Sequence, residues 1–221
     1  MTTETGDDLT LDELRRKLAP LIAEAAVFDG WTAEAVRQAA SDAGVDSDVA
    51  AYAFKGGAMD MIGAWIAHVD HAMAKSLPAE KLAGLPVRER IRQLVEFRLG
   101  MVTGREESLR RALTIMAMPQ NARRALRLGW SSADAMWRLA GDTATDYNYY
   151  TKRTILAGVY AATLAVFADD KTEHKVETRA FLDRRLAGIL RFEKAKAKLL
   201  NPDVEHFSMA RLIGRLRYPV N

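Results

Sequence analysis

The chain has no cysteine among its 221 residues. That excludes a disulfide scaffold and any thiolate metal site, and it fits a reducing compartment. Histidine is scarce too: His68, His71, His174 and His206 are all there are. His68 and His71 share a helical face at i,i+3, but no Glu-x-x-His partner motif accompanies them, so solvated or half-buried histidines are expected rather than a metal site. There is no glycine-rich phosphate loop and no nucleophile elbow. The paired carboxylates Asp7-Asp8 and Asp169-Asp170 fall in a tail and in a polar break, where solvation is expected. No coherent acid/base set remains, and the chain reads as a non-enzyme that needs no catalytic cofactor. Long apolar runs are missing as well. The best, Ile155 to Ala168, is 14 residues and carries Thr163, short of a membrane span. Alternating strand patterns are absent, and there are six prolines.

What is present is helical periodicity on a 49% hydrophobic chain. Residues 1–9 read as a disordered tail, with acids ahead of the first basic residue, unlike a signal or transit peptide. Thr10 and Glu13 form a capping box. Leu11, Leu14, Leu18, Leu21 and Ile22 follow at helical spacing, and Pro20 is expected to kink or interrupt that helix. Thr32 to Ala43 is a helix ended by Gly44. A short helix covers Ser47 to Ala53, and a longer one starts at Ala58. Pro86 opens a helix whose one face is Val87, Ile91, Leu94, Val95 and Arg98. Further helices are expected over Glu106 to Met118, from Asn121 to about Gly141, over about 146–168, and over Val176 to Leu200. On the helix after Asn121 the apolar positions include Leu126, Leu128, Trp130, Met136 and Trp137. The fold class is all-α, with about nine or ten helices.

The 146–168 helix is unusual in two respects. Ile155 to Phe167 carries no charge, which implies cover on nearly every side. Its first turn is nevertheless Tyr147, Asn148, Tyr149 and Tyr150, too many large polar-tipped groups for one buried face. Some are expected to point outward beside Met136 and Trp137 as a binding surface. The alternative is that they cap the core.

Charge is uneven. Between Arg184 and Arg217 nine basic residues face three acids, which suits an anionic surface. The final helix, about 204–217, has an apolar stripe of Met209, Leu212, Ile213 and Leu216, flanked by Arg211, Arg215 and Arg217. Such a face fits an anionic membrane, or else docks on the protein's own body.

The first helices, with the Gly44 turn and Tyr52-x-Phe54, resemble the DNA-binding end of TetR-type regulators. The recognition position, however, holds Asp46 and Asp48 and no basic residue, so nucleic-acid binding is not expected.

Five segments carry a more specific resemblance: Gly30-Trp31-Thr32, Phe54 to Gly57, Trp137-x-x-Ala140-Gly141-Asp142, Thr145 to Arg153, and the closing Arg215 to Pro219. Over about residues 10–219 the chain resembles the Coq-nine family of ubiquinone-biosynthesis proteins, in an alphaproteobacterial form. The resemblance implies a TetR-regulator-like helical bundle and a homodimer. It also implies a bound isoprenoid or quinone lipid instead of a cofactor. The function implied is that of an accessory protein presenting quinone precursors to a membrane-associated hydroxylase. It places the protein in the cytoplasm, peripheral to the inner membrane, with the C-terminal helix on the anionic surface. Carried over by position, the partner-contact patch is Met136, Asp146, Tyr149 and Tyr150, with Trp137 close by. Tyr149 stands where the family usually has Trp. Met101, Met116 and Met118 are the adaptable lining candidates for the lipid, or ordinary core residues. The regions implied are a helix-turn-helix-like part over 10–75, a lipid-binding and dimerisation body over 76–200, and the amphipathic helix within 201–221. Helices at about 146–168 and 175–198 are expected to pair with their copies. The alternative function is a transcriptional regulator with a small-molecule pocket.

Overall fold

A computed structural model describes residues 9–143 and 147–200, with Tyr147 and residues 190–200 as backbone only. Among them are ten α-helices and no strand. They are α1 (Leu11–Asp29), α2 (Ala33–Ala43), α3 (Ser47–Ala53), α4 (Ala58–Ser76), α5 (Ala79–Leu82), α6 (Val87–Val102), α7 (Glu106–Ala117), α8 (Ala122–Leu139), α9 (Tyr147–Asp169) and α10 (Val176–Leu200). Contacts divide the chain into two compact units, 1–183 and 184–221. The described part of the second is the rest of α10.

Local chemistry sets the boundaries. The Thr10–Glu13 capping box is formed on both sides, and Gly44 closes α2 in the left-handed conformation. Asp46 caps α3, accepting from the amides of Asp48 (2.8 Å) and Val49 (3.1 Å). At Gly56 a Cβ would collide with the Asp60 carboxylate, to which the Gly56 amide donates, so a larger residue there has to push that carboxylate aside.

Pro20 does not interrupt α1. A proline cannot donate to the carbonyl four residues back, so the Arg16 carbonyl is left over. His68 of α4 takes it, with Nδ1 at 3.2 Å. That contact fixes Nδ1 as the protonated nitrogen, and burial pushes the His68 pKa down. One of the two paired histidines is thus a structural plug for a proline gap, while His71 is exposed.

Leu14, Leu18 and Ile22 of α1 are buried where α1 packs on α2 and α4. Each such side chain stabilises by about 1.5–3 kcal/mol as an upper estimate. Trp31 stacks on Trp65 at 5.4 Å between centroids and donates from Nε1 to the Ser108 carbonyl at 3.0 Å. Ser108 Oγ in turn donates to the Ala23 carbonyl at 2.6 Å. α1 has no basic residue in its last turn. Arg111 of α7 supplies that charge, donating to the Phe28 carbonyl at 3.0 Å.

Leu126, one of the apolar positions of α8, is 75% exposed, and one sequence expectation fails here. α9 is not covered on every side: Thr154, Gly158, Ala161, Ala162 and Ala165 are exposed, while Leu156, Tyr160, Thr163 and Phe167 are buried. The uncharged stretch is therefore one covered face and one bare face of small residues.

Asp170 is also misplaced by the sequence reading. It is buried, not solvated. It accepts from Thr172 N (2.9 Å), Thr172 Oγ1 (2.5 Å), Thr178 N (2.8 Å) and Thr178 Oγ1 (2.6 Å). Burial opposes its charge, but these donors overcome that and hold the carboxyl far below its usual range. This carboxylate starts α10.

Candidate functional site

The first unit forms an apolar cavity of about 610 Å³, open to solvent on the side where exposed Leu126, Thr154 and Ala161 line it, within the ordinary range for small-molecule sites. α4 contributes Ile62, Trp65, Ile66 and Val69, and α7 contributes Leu109, Leu113 and Met116. α8 lends Leu126, Leu128 and Trp130, and α9 lends Ala157, Ala161 and Leu164. The helical repeat explains the convergence. Each of these helices turns one apolar stripe inward, and small residues on α9 keep the space open. Polar groups on the wall are few: Arg98, Ser132, Thr154 and Tyr160.

Of the three methionines expected to line a lipid site, Met116 lines this cavity. Met101 and Met118 are not on the wall. Met101 is half-buried near the end of α6, and Met118 is exposed in the turn before α8, its sulfur accepting from Gln120. Periodicity alone could not tell the inward from the outward face at those helix ends.

Arg98 is the most buried charged side chain on that wall, 2% exposed. It stands on the apolar face of α6, as the sequence placed it. Nη1 bonds Asp70 of α4, and Nη2 donates to Ser132 Oγ of α8 at 3.0 Å. The guanidinium lies over the Tyr160 ring of α9, 4.8 Å from its centroid. Burial works against its charge, but Tyr160 and Asp70 outweigh that, and its pKa rises. Burial likewise pushes the Asp70 carboxyl up, against the pull of Arg98.

Beside the cavity is an aromatic group. Trp130, which lines the wall, has its ring centroid 6.3 Å from Tyr149 and 6.0 Å from Tyr150, and the two tyrosines meet edge-on at 5.1 Å. Tyr150 is 61% exposed and Tyr149 is half-buried. Trp130 was read from the sequence only as an apolar helix position; it joins the patch to the cavity.

The partner patch inferred by resemblance is only partly a surface. Met136 is fully buried; one turn to either side of it on α8, Ser132 and the Ala140 carbonyl accept from Arg98 and Arg90 of α6, so it belongs to the interior and not to the patch surface. Trp137 is half-buried, and its Nε1 donates to the Lys152 carbonyl at 3.0 Å. Asp146 lies outside the described residues, as do Met209, Arg211, Leu212, Ile213, Arg215, Leu216 and Arg217.

The cluster is held by an arginine that sequence reasoning quoted only as a motif letter. Arg153 is 1% exposed. Its Nε donates to Asp134 at 2.6 Å and its Nη1 to Asp142 at 2.9 Å. Its guanidinium stacks on Tyr149, 3.5 Å from the ring centroid. Asp134 also accepts from Tyr149 Oη (3.2 Å) and pairs with Arg138 (2.8 Å). Asp142 also takes Lys152 (2.8 Å). Burial would raise both carboxyls, but the arginines and the lysine prevail and hold them below the usual range. Gly141, at φ 82, turns the chain so that Asp142 points back at α9. Much of the Trp137-to-Arg153 motif is thus an ion-paired clamp that fixes Tyr149 and Tyr150 over α8.

Among the described residues no cluster of potential ligands could hold a metal ion, and no helix is long and apolar enough to cross a membrane.

The family model COQ9 matches residues 122–193, which spans α8, the clamp, the aromatic group and most of α10. The chain is 32% identical over 190 residues to the mitochondrial ubiquinone biosynthesis protein COQ9 of Rattus norvegicus, covering 83% of this chain and 61% of that protein. The Homo sapiens counterpart is likewise 32% identical over 190 residues, with 83% and 59% covered. The chain thus spans about 60% of these relatives' length. In structure it is similar to a TetR transcriptional regulator from Nitrosomonas europaea, with TM-score 0.63 at 20% identity over 80% of this chain and 98% of that one. The shared architecture is one of fold alone. On a TetR-type fold, then, the chain is a member of the COQ9 family, matched by its model across α8 to α10 and related to the rat and human members over 83% of its length.

Proposed function

We propose that this protein serves ubiquinone biosynthesis as a non-enzymatic lipid-binding accessory. It holds an isoprenoid or quinone precursor and presents it to a membrane-associated hydroxylase. The carrying observation is the apolar cavity of about 610 Å³ whose wall runs through Trp130 to half-buried Tyr149 and exposed Tyr150. A polyprenyl chain is almost insoluble in water, and burying it in such a cavity is favoured by the hydrophobic effect. The aromatic patch beside the cavity is where an enzyme would meet the ligand. The family relationship supports the pathway.

The bare face of α9, with Ala162 and Ala165 exposed outside the cavity wall, suits close packing against a second copy, in keeping with a homodimer. The basic, amphipathic segment 204–217 would bring the dimer to an anionic membrane.

The rival reading, a DNA-binding regulator, is disfavoured by α3. It carries Asp48 and no Arg or Lys, its cap is Asp46, and its exposed large side chains are Val49 and Tyr52. Acids facing phosphates oppose counterion release. Disrupting the gene should lower cellular ubiquinone and let the substrate of one ring hydroxylation accumulate. Unchanged ubiquinone, or selective binding of genomic DNA in gel shifts at low salt, would sink this reading.

A further inference from the structure

The turn between α7 and α8 sits at the edge of the cavity. Met116 and Ala117 precede it, Ala125 and Leu126 follow it, and all four line the wall. Its charge is of one sign. From Ser108 to Ala133 the chain has five arginines and no acidic residue. Arg110 and Arg111 pair with Glu107, and Arg124 pairs with Asp60 of α4. Arg123 and Arg127 are left over. Both are exposed, and among the described residues neither has a hydrogen-bond or ion-pair partner.

These two stand at i,i+4 on one face of α8, with Leu126 beside them. Leu126 is 75% exposed and Met118 39%. Large apolar groups among unpaired arginines suit a partner that is anionic at its surface and apolar just beneath. Lipid phosphates take the guanidinium groups, while Leu126 and Met118 reach the acyl boundary. Nucleic acid offers the phosphates without the apolar layer. An opening pressed to a bilayer also spares an apolar ligand the passage through water.

We infer that this rim, Met118, Arg123, Leu126 and Arg127, docks the mouth of the cavity on an anionic membrane, so that an apolar ligand passes directly between bilayer and cavity. This rests on the lipid-cavity reading above and adds the route by which the cavity is filled. The rim's part differs from that of the segment 204–217. Two arginines and two apolar side chains are too few to hold the protein on a bilayer by themselves. They set which face of the held protein meets the lipid.

The test is transfer of tritiated geranylgeraniol by the full-length protein from donor to acceptor vesicles, taken as the rate above that without protein. Donors are phosphatidylcholine with or without phosphatidylglycerol. Each arginine near an anionic surface is worth about fivefold in binding. Arg123→Gln with Arg127→Gln should therefore slow transfer from anionic donors about tenfold or more and leave transfer from neutral donors unchanged. Arg123→Lys with Arg127→Lys should keep most of the wild-type rate. Neither residue lines the cavity. The Gln variant should thus bind farnesylacetone from water within about twofold of wild type, read by the fluorescence of Trp65 and Trp130 on the wall, and should still float with anionic liposomes. A Gln variant as fast as wild type on anionic donors, or slowed equally on both kinds, would overturn the rim and leave the cavity standing. If the first result comes with loss of a duplex-DNA gel shift that the wild type gives, the arginines belong to nucleic acid instead. Failure of the wild type to bind farnesylacetone would overturn the cavity reading itself.

Discussion

Replacing Arg153 by methionine keeps much of the side-chain volume and deletes the guanidinium at the centre of the clamp. Two carboxylates lose a partner at once, Asp134 with 15% and Asp142 with 5% of its side chain exposed. Removing one member of a buried pair typically costs 3–5 kcal/mol. Here Arg138 and Lys152 stay in place beside the two carboxylates, which trims the loss, while the stacking on Tyr149 goes too. A net destabilisation of about 2–4 kcal/mol follows. For a chain of this length that lowers Tm by about 6–12 °C. Thermal unfolding followed by far-UV circular dichroism measures it. Adding Asp134→Asn and Asp142→Asn to the same chain should recover a large part of the loss, because no buried charge is then unpaired. The exposed Arg138→Ala should change Tm little. A fall of under about 2 °C for Arg153→Met, the size of an ordinary surface substitution, would refute the clamp as the element holding α9 on α8.

Acid should loosen the same region. Asp134, Asp142 and Asp170 have folded pKa values below their unfolded ones, so the unfolded chain binds more protons in acid. Their stabilisation is complete above about pH 5 and is lost as pH falls through 4 and below; the Asp134→Asn, Asp142→Asn pair should flatten that dependence in urea titrations. Light scattering at micromolar concentration should give twice the mass of 24.5 kDa, and Ala162→Arg with Ala165→Arg, on the part of the bare face of α9 that does not line the cavity, should give a folded monomer; a wild-type monomer ends the dimer proposal. Leu212→Asp with Leu216→Asp should abolish flotation with anionic liposomes while the melting curve stays put. Flotation that persists assigns the membrane contact to another surface.

Where a structural signal is local, the sequence carried it. Gly44, Thr10 with Glu13, and Asp46 fix helix ends within a few residues, and α2 and α3 lie where those caps put them. Arg98 on the apolar stripe of α6 was legible as an anomaly. Its partners were not: Asp70 and Ser132 are 28 and 34 residues away, and only packing brings them together. Pro20 does not interrupt α1, and the partner of its orphan carbonyl, His68, lies on another helix, out of reach of local sequence reading. α9 misled for a different reason. An uncharged run of Ala and Gly reads alike whether covered or bare, since small side chains expose little apolar area. The Tyr-rich turn stands out in the sequence, yet what holds it is Arg153, whose carboxylate partners lie 19 and 11 residues back in the chain.

The central claim, that the cavity is a lipid site, is open to one direct measurement: native mass spectrometry of the protein purified without detergent exchange, with the released ligand fragmented for identification. The account predicts a single neutral isoprenoid or quinone-type lipid bound per chain, lost when Ala157 and Ala161 are replaced by Phe to fill the cavity. Protein that flies at its bare sequence mass, or that carries its lipid undiminished after the cavity is filled, would contradict it.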